Sequence, residues 1–320
     1  MGGVDEKLRV VFMGTPDFAA ASLRALLDFD GCEVAAVYTQ PDRPCGRGQQ
    51  CRPSPVKVLA LEHGIDVYQP ENFKDQAAVD ELAALKPDVL VVAAYGLILP
   101  QSVLDVPKYY PLNVHASLLP KHRGAAPIQR SIESGDVVTG ITIMKMEAGL
   151  DTGPVMVARA LRIGHNDHAG MIHDELAELG GVCIVEALAR LAHGSYELKP
   201  QDDALATYAG KLSKKDGEVD WNRPAKDIHN QIRAMYPWPG AYFEWDNGSG
   251  KTMRLNVTPG EIGTDESPGV DPGTILGEID GKLAISTADK VYLTAEVKPQ
   301  GKKAMDATAF VCGYMKDCEV

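Results

Sequence analysis

The sequence is short of the features that mark a metal-binding, exported or membrane-spanning chain. Cysteine occurs six times in 320 residues, at 32, 45, 51, 183, 312 and 318, with no CxxC pair. The two close pairs have five residues between partners, which matches no common zinc spacing. Reduced thiols in a cytoplasmic protein, with no metal, are therefore expected. No apolar run approaches the roughly 20 residues of a membrane span. The opening MGGVDE has no apolar signal core and shares with a myristoylation start only Gly2, position 6 being Glu, so neither export nor a lipid anchor is expected. Basic residues number 32 against 44 acidic ones, for a net charge of −12. A chain that grips nucleic acid over its whole surface would usually be basic, so any such contact must come from local patches. No G-x-G-x-x-G follows the first predicted strand. Gly14-Thr15-Pro16 stands there instead, with no acidic residue at the spacing a dinucleotide site needs, so a plain strand-to-helix turn is expected and a nicotinamide cofactor is not. There is no internal repeat and no low-complexity segment.

What is present reads as two domains, the number that about 100–200 residues per domain predicts. Buried strands are expected at residues 8–13, 33–38, near 67, and at 88–94, 112–116, 141–146 and 155–161. They alternate with helices at 18–27, 54–63, 75–85, 126–134 and 168–192. Thr15 is read as a helix N-cap with Pro16 behind it, and Ser54-Pro55 as a second such start. Alternation of this kind predicts an α/β fold, a doubly wound, mainly parallel Rossmann-like sheet with ligands bound at the carboxyl ends of its strands. Residues 193–207 are polar and read as a linker. After a helix at 224–235, short strands between Gly and Pro (242–245, 253–256, 274–279, 282–286, 291–297) predict a small β-barrel or sandwich. The expected organisation is a catalytic domain over 1–192, the linker 193–207, and a C-terminal barrel over 208–320.

The chemistry gathers in a few stretches. In NVHASLLP (113–120), residues two apart on a strand share a side, so Asn113 and His115 face one way. Pro120 ends the strand, which puts both at the end where ligands bind. An Asn amide can donate to an oxygen as charge develops on it; an imidazole exchanges protons near neutrality. A lone His on a buried strand is more often structural, but its pairing with Asn here is less easily dismissed. GLDTG (149–153) offers Asp151, either a turn residue or a partner that would raise the pKa of His115 and fix its tautomer. Lys121-His122-Arg123 is a charged surface turn or an attractor of anions. His165 and His168 have H-x-x-H spacing but are read as a helix cap. The loop QPDRPCGRGQQCRPSP (40–55) carries Arg43, Arg47 and Arg52 against Asp42 alone; it is a solvated loop or a phosphate contact.

NVHASLLP, followed by KHRGAAPIQRSI and then GLDTG, resembles the core of formyltetrahydrofolate-dependent formyltransferases. FMGTPDFAA, TQPDRPCGRG, SPVK, AAYGLILP, TGITIMKMEAGLDTGPV, YAGKLSKKDGEVDW, IRAMYPWPGA and PGTIL extend the resemblance over about residues 7–315, to the branch that acts on methionyl-tRNA. The resemblance implies that Asn113, His115 and Asp151 are catalytic and that Ser117, Leu118, Leu119 and Pro120 meet the folate. It places Arg43, Arg47 and Arg52 on the acceptor arm of the tRNA and makes the second domain an OB-like barrel. It further implies 10-formyltetrahydrofolate as formyl donor, initiator methionyl-tRNA as acceptor, no metal and no membrane; a monomer is expected. Gln49 and Gln50 stand where relatives often carry lysine. The barrel must then lean on Lys211, Lys214, Lys215, Arg223, Lys251, Arg254, Lys302 and Lys303.

The expected reaction is attack of the methionyl amine on the formyl carbon. Asn113 and a protonated His115 would donate to the oxyanion, and Asp151 would sustain the charge on His115 and help remove the ammonium proton. Three alternatives stay open on the sequence: a formyltransferase for a small amine, a hydrolase that gives the formyl group to water, and a silent nucleic-acid-binding module.

Overall fold

The computed structural model describes residues 7–45, 50–246 and 252–315. Contacts divide it into two compact units. The first comprises residues 1–124, 138–162 and 173–208, and the second 125–137, 163–172 and 209–320.

The first unit is built on a seven-stranded sheet. In spatial order its strands are Val155–Arg162, Val138–Lys145, Tyr110–His115, Val89–Ala93, Leu8–Gly14, Cys32–Tyr38 and Val67–Tyr68. The last five run parallel. The first two are antiparallel additions, Val138–Lys145 to Tyr110–His115 and Val155–Arg162 to Val138–Lys145. Central strands are apolar along their whole length because helices cover both faces: Val89–Ala93 is buried at every residue. Chain order reverses between Leu8–Gly14 and Val89–Ala93, the position at which such sheets open a crevice. Thr15 lies over that reversal. It caps no helix: Asp17–Leu27 starts from Pro16 without a side-chain cap, and Thr15 Oγ1 instead donates to Tyr95 O at 3.1 Å. The competing carbonyl across the crevice wins the hydroxyl. Ser54 does cap Pro55–Glu62, accepting from Lys57 N at 3.1 Å.

The second unit has two four-stranded antiparallel sheets. One holds Ala241–Asp246, Thr252–Val257, Glu296–Pro299 and Met305–Asp306; the other holds Glu261–Glu266, Lys290–Thr294, Lys282–Ser286 and Ile275–Ile279. They enclose one core that includes Trp221, Ile228, Phe243, Leu255, Tyr292 and Phe310, the small barrel expected. Helix Ala225–Ala234 contributes Ile228 and Ile232 to it. Several elements were not anticipated, among them a strand, a helix and a hairpin. Glu261–Glu266 reads EIGTDE, too polar for a strand pattern. Ala307–Tyr314 is a helix, capped by Asp306 Oδ1, which accepts from Ala309 N at 2.7 Å. Arg43–Cys45 and Gln50–Arg52 pair as a hairpin. The expected strand 291–297 is two strands, Lys290–Thr294 and Glu296–Pro299, in different sheets.

Candidate active site

Tyr110–His115 lies between Val89–Ala93 and Val138–Lys145, with Asn113 opposite Val92 and Met144, and His115 opposite Thr142. Asn113 and His115 thus sit at its carboxyl end on one side, while Val114 is buried away from them. The chain then turns sharply. Ser117 is fully buried and its hydroxyl donates to Lys121 O at 2.6 Å. Thr142 Oγ1 ties the same turn down, donating to Ser117 O at 2.7 Å and accepting from Leu119 N at 3.1 Å. Of the four residues assigned to the folate, Ser117 therefore spends its side chain on the turn. Leu118, Leu119 and Pro120 stay half-exposed.

Asp151 comes from a separate loop to the side of the strand end that carries Asn113 and His115. Its Oδ2 lies 3.6 Å from His115 Nδ1 and accepts from Gly124 N at 2.8 Å. Its Oδ1 accepts from Asn113 Nδ2 at 3.5 Å. Of the three residues singled out for catalysis, Asp151 is therefore within reach of both of the others. The loop carrying Asp151 is compressed: a Cβ at Gly153 would run into the Lys145 carbonyl, and Asp151 itself has φ +53, a left-handed conformation that Asp tolerates better than most residues. Gln201 spans the loop, its Nε2 donating to Asp151 O at 2.8 Å and to Gly153 O at 2.7 Å.

His115 is 5 % exposed, and its Nε2–H donates to His122 O at 3.0 Å. Burial pushes the imidazole pKa down, by more than Asp151 and the His122 carbonyl pull it up. The expected rise from Asp151 is present, but desolvation outweighs it, which favours the neutral ring. With Nε2 carrying the hydrogen, Nδ1 is the free basic position, and it faces Asp151.

In the turn 121–123 Lys121 is exposed, but His122 and Arg123 are buried, contrary to the charged surface expected. Arg123 is 2 % exposed. Its Nε and Nη2 donate to Gln201 Oε1 at 3.1 and 2.9 Å, and Nη2 also to Asp203 Oδ1 at 2.7 Å. Arg123 and Gln201 were missed by sequence reasoning, the first taken as surface charge and the second placed in a linker. A signal for either would be the unusual burial of arginine, which spacing cannot reveal. His168 behaves as expected, its Nδ1 accepting from Met171 N at 3.2 Å at the start of a helix. Among the described residues no cluster of His, Cys, Asp or Glu could hold a metal, and no helix is long and apolar enough to cross a membrane.

The cationic candidates divide in two. Arg43 and Arg52 are exposed and directly opposite each other across the hairpin. Like charges in that position repel, and neither has an ion pair among the described residues. The base of the hairpin is clamped: Lys57 Nζ meets Asp42 Oδ2 at 2.6 Å, and Gln69 Nε2 donates to Asp42 Oδ1 at 2.9 Å. Arg47, Gln49 and Lys251 lie outside the described residues. In the second unit Lys211, Lys214 and Lys215 are exposed. Lys214 and Lys215 ride on a short turn of 3-10 helix fixed by a Ser213–Asp216 capping box. Arg130 anchors that turn through Asp216 at 2.6 Å. Arg254 is already engaged, with Glu244 at 3.2 Å and over the Tyr242 ring at 3.9 Å.

A parallel sheet with Asn, His and Asp converging at a strand end, joined to a small barrel, is the architecture of a formyl transferase. The Formyl transferase family model matches residues 7–188, and the Formyl transferase C-terminal domain model matches 211–315. The methionyl-tRNA formyltransferase of Nitratidesulfovibrio vulgaris is 59 % identical over 98 % of this chain and 94 % of its own. That of Pseudomonas putida is 49 % identical over 93 % of both. The chain belongs to the methionyl-tRNA formyltransferase family. Among solved structures, an N-formyltransferase from Helicobacter canadensis, in complex with folinic acid and dTDP-3-aminofucose, matches with a TM-score of 0.67 at 18 % identity, over 90 % of this chain and 99 % of that one. This last likeness concerns the fold alone.

Proposed function

We propose that the protein transfers the formyl group of 10-formyltetrahydrofolate to the amino group of methionyl-initiator tRNA, acting as a monomer in the cytoplasm. The observation that carries the chemical reading is the convergence of Asn113, His115 and Asp151 on one strand end. The identity and coverage of the methionyl-tRNA formyltransferase relatives support the acceptor.

The folate supplies a formyl carbon bonded to nitrogen, and the amino acid supplies the amine. Asn113 Nδ2 is the donor for the oxygen as it gains charge at the tetrahedral stage. Its bond to Asp151 is long at 3.5 Å, so this donor is easily redirected. His115, neutral at rest, takes a proton from the methionyl ammonium at Nδ1, which frees the amine to attack the formyl carbon. The imidazolium so formed is held between the Asp151 carboxylate and the His122 carbonyl and returns the proton to the departing nitrogen. The second ammonium proton is released to solvent. This revises the expected role of His115 from charged donor to neutral base. Leu118, Leu119 and Pro120 give the apolar wall against which a flat pterin ring can lie, with Ser117 shaping their turn.

Arg43 and Arg52, with Arg47 between them in sequence, contact tRNA phosphate; an anion between opposed arginines relieves their repulsion. Lys211, Lys214 and Lys215 supply a second patch. The test follows labelled formyl from 10-formyltetrahydrofolate in the presence of charged initiator tRNA. Label on the methionyl amine is expected. Release as formate, or transfer only to small amines, would overturn the proposal.

A further inference from the structure

Asp151 needs an explanation beyond its own side chain. It sits in a left-handed conformation on a compressed loop, and its carboxylate must meet both Asn113 and His115. A conformation of that kind persists only where surrounding contacts over-determine it. Two hydrogen bonds do so here, and both come from Gln201, a residue 50 positions along the chain from Asp151. Gln201 Nε2 bridges the carbonyls of Asp151 and Gly153 at 2.8 and 2.7 Å. Both hydrogens of that amide are thereby used, and its orientation is set by the Arg123 guanidinium, which donates twice to Gln201 Oε1. Arg123 has little freedom of its own. It is 2 % exposed, and the guanidinium's other side-chain partner, Asp203, stands at the solvent edge. Its neighbours in sequence face the same site: His122 O accepts from His115, and Gly124 N donates to Asp151 Oδ2.

We propose that Arg123 and Gln201 form a positioning relay for formyl transfer. The buried guanidinium fixes the carboxamide, the carboxamide fixes the backbone at Asp151 and Gly153, and the carboxylate is thereby held against His115 Nδ1. The segment 193–207 is then part of the catalytic apparatus. The inference rests on the role given to Asp151 above.

The chemistry of Gln201 allows a sharp test. Gln201→Glu keeps the shape and strengthens the pairing with Arg123, but sets a carboxylate oxygen against two carbonyls where two N–H donors stood. Gln201→Ala removes both contacts. If the relay positions Asp151, the two variants lose kcat alike, by about 10- to 100-fold, the scale expected from a misplacement of about 1 Å. The KM values for folate and tRNA then stay within about twofold of the unaltered protein. A Gln201→Glu variant with unaltered kcat would overturn the relay, because only the Arg123 pairing would matter. Losses spread over kcat and both KM values would also overturn it, by making the contacts a general support of the fold. Asp151→Asn assayed alongside separates the two layers. A slow Asp151→Asn with a normal Gln201→Glu sinks the relay alone; a fully active Asp151→Asn sinks the reading of the site beneath it.

Discussion

The strand end at His115 and the hairpin at Arg43 carry polar groups in opposite ways. At the first, every functional atom is buried or half-buried and already partnered: His115 with His122 and Asp151, Asp151 with Gly124 and Asn113. At the second, Arg43 and Arg52 oppose each other in solvent with no ion pair among the described residues. A pre-organised, desolvated site has little rearrangement left to make when charge develops, so its contacts act on the rate. Exposed cations attract a polyanion from a distance and lose their grip in salt. In the proposed function the two regions therefore separate turnover from binding.

Four predictions break or sharpen that contrast. The largest effect belongs to the buried group. Asp151→Asn, His115→Ala and Asn113→Ala each lower kcat by about 10²-fold or more, with the KM for tRNA nearly unchanged; steady-state kinetics checks this. Next, Arg43→Ala and Arg52→Ala raise the KM for tRNA by about tenfold and leave folate binding intact. Each also reduces the slope of log affinity against log salt by about 1, as titrations at several salt concentrations would show.

The third prediction concerns pH. Burial holds the His115 pKa below its usual value, about 6.5, and in the proposed mechanism the neutral ring is the active one. The acid limb of kcat should therefore lie below about pH 6.5. Asp151 pulls that pKa upward, so in Asp151→Asn the limb of the residual rate moves further toward acid. A limb above 6.5, or one that moves the other way, would restore the charged imidazole as the resting form.

The smallest effect lies in the support of Lys214 and Lys215. Burial pushes the Asp216 carboxyl up, but Ser213 and Arg130 more than reverse it and hold its pKa at about 2. A carboxylate held below its unfolded value adds stability that is complete above about pH 4 and gone once pH falls through about 2. Asp216→Asn should cost less than about 1 kcal/mol, and denaturant titrations at pH 7 and pH 2 should show the difference only at pH 7.

Much of this molecule could be read from its sequence because local rules and tertiary structure agree. The run Val89–Ala93 is apolar throughout and is a central strand; Ser54-Pro55 starts a helix. Period-two geometry put Asn113 and His115 on one side, the glycine-flanked loop GLDTG offered Asp151, and the resemblance chose between its two readings. The missed features depend on distant partners. Thr15 leaves its helix for a carbonyl that lies 80 residues away in the chain. Arg123 looks like surface charge until Gln201 covers it. The protonation state of His115 turns on desolvation, a property of packing. EIGTDE becomes a strand because Lys290–Thr294 offers it an edge.

The most direct test is a single-turnover experiment on Asp151→Asn with saturating 10-formyltetrahydrofolate and charged initiator tRNA, alongside the measured affinity for that tRNA. The site described here predicts a formyl-transfer rate lower by about 10²-fold or more at unchanged tRNA affinity. An unaltered rate, or a loss that appears only as weaker tRNA binding, would contradict it.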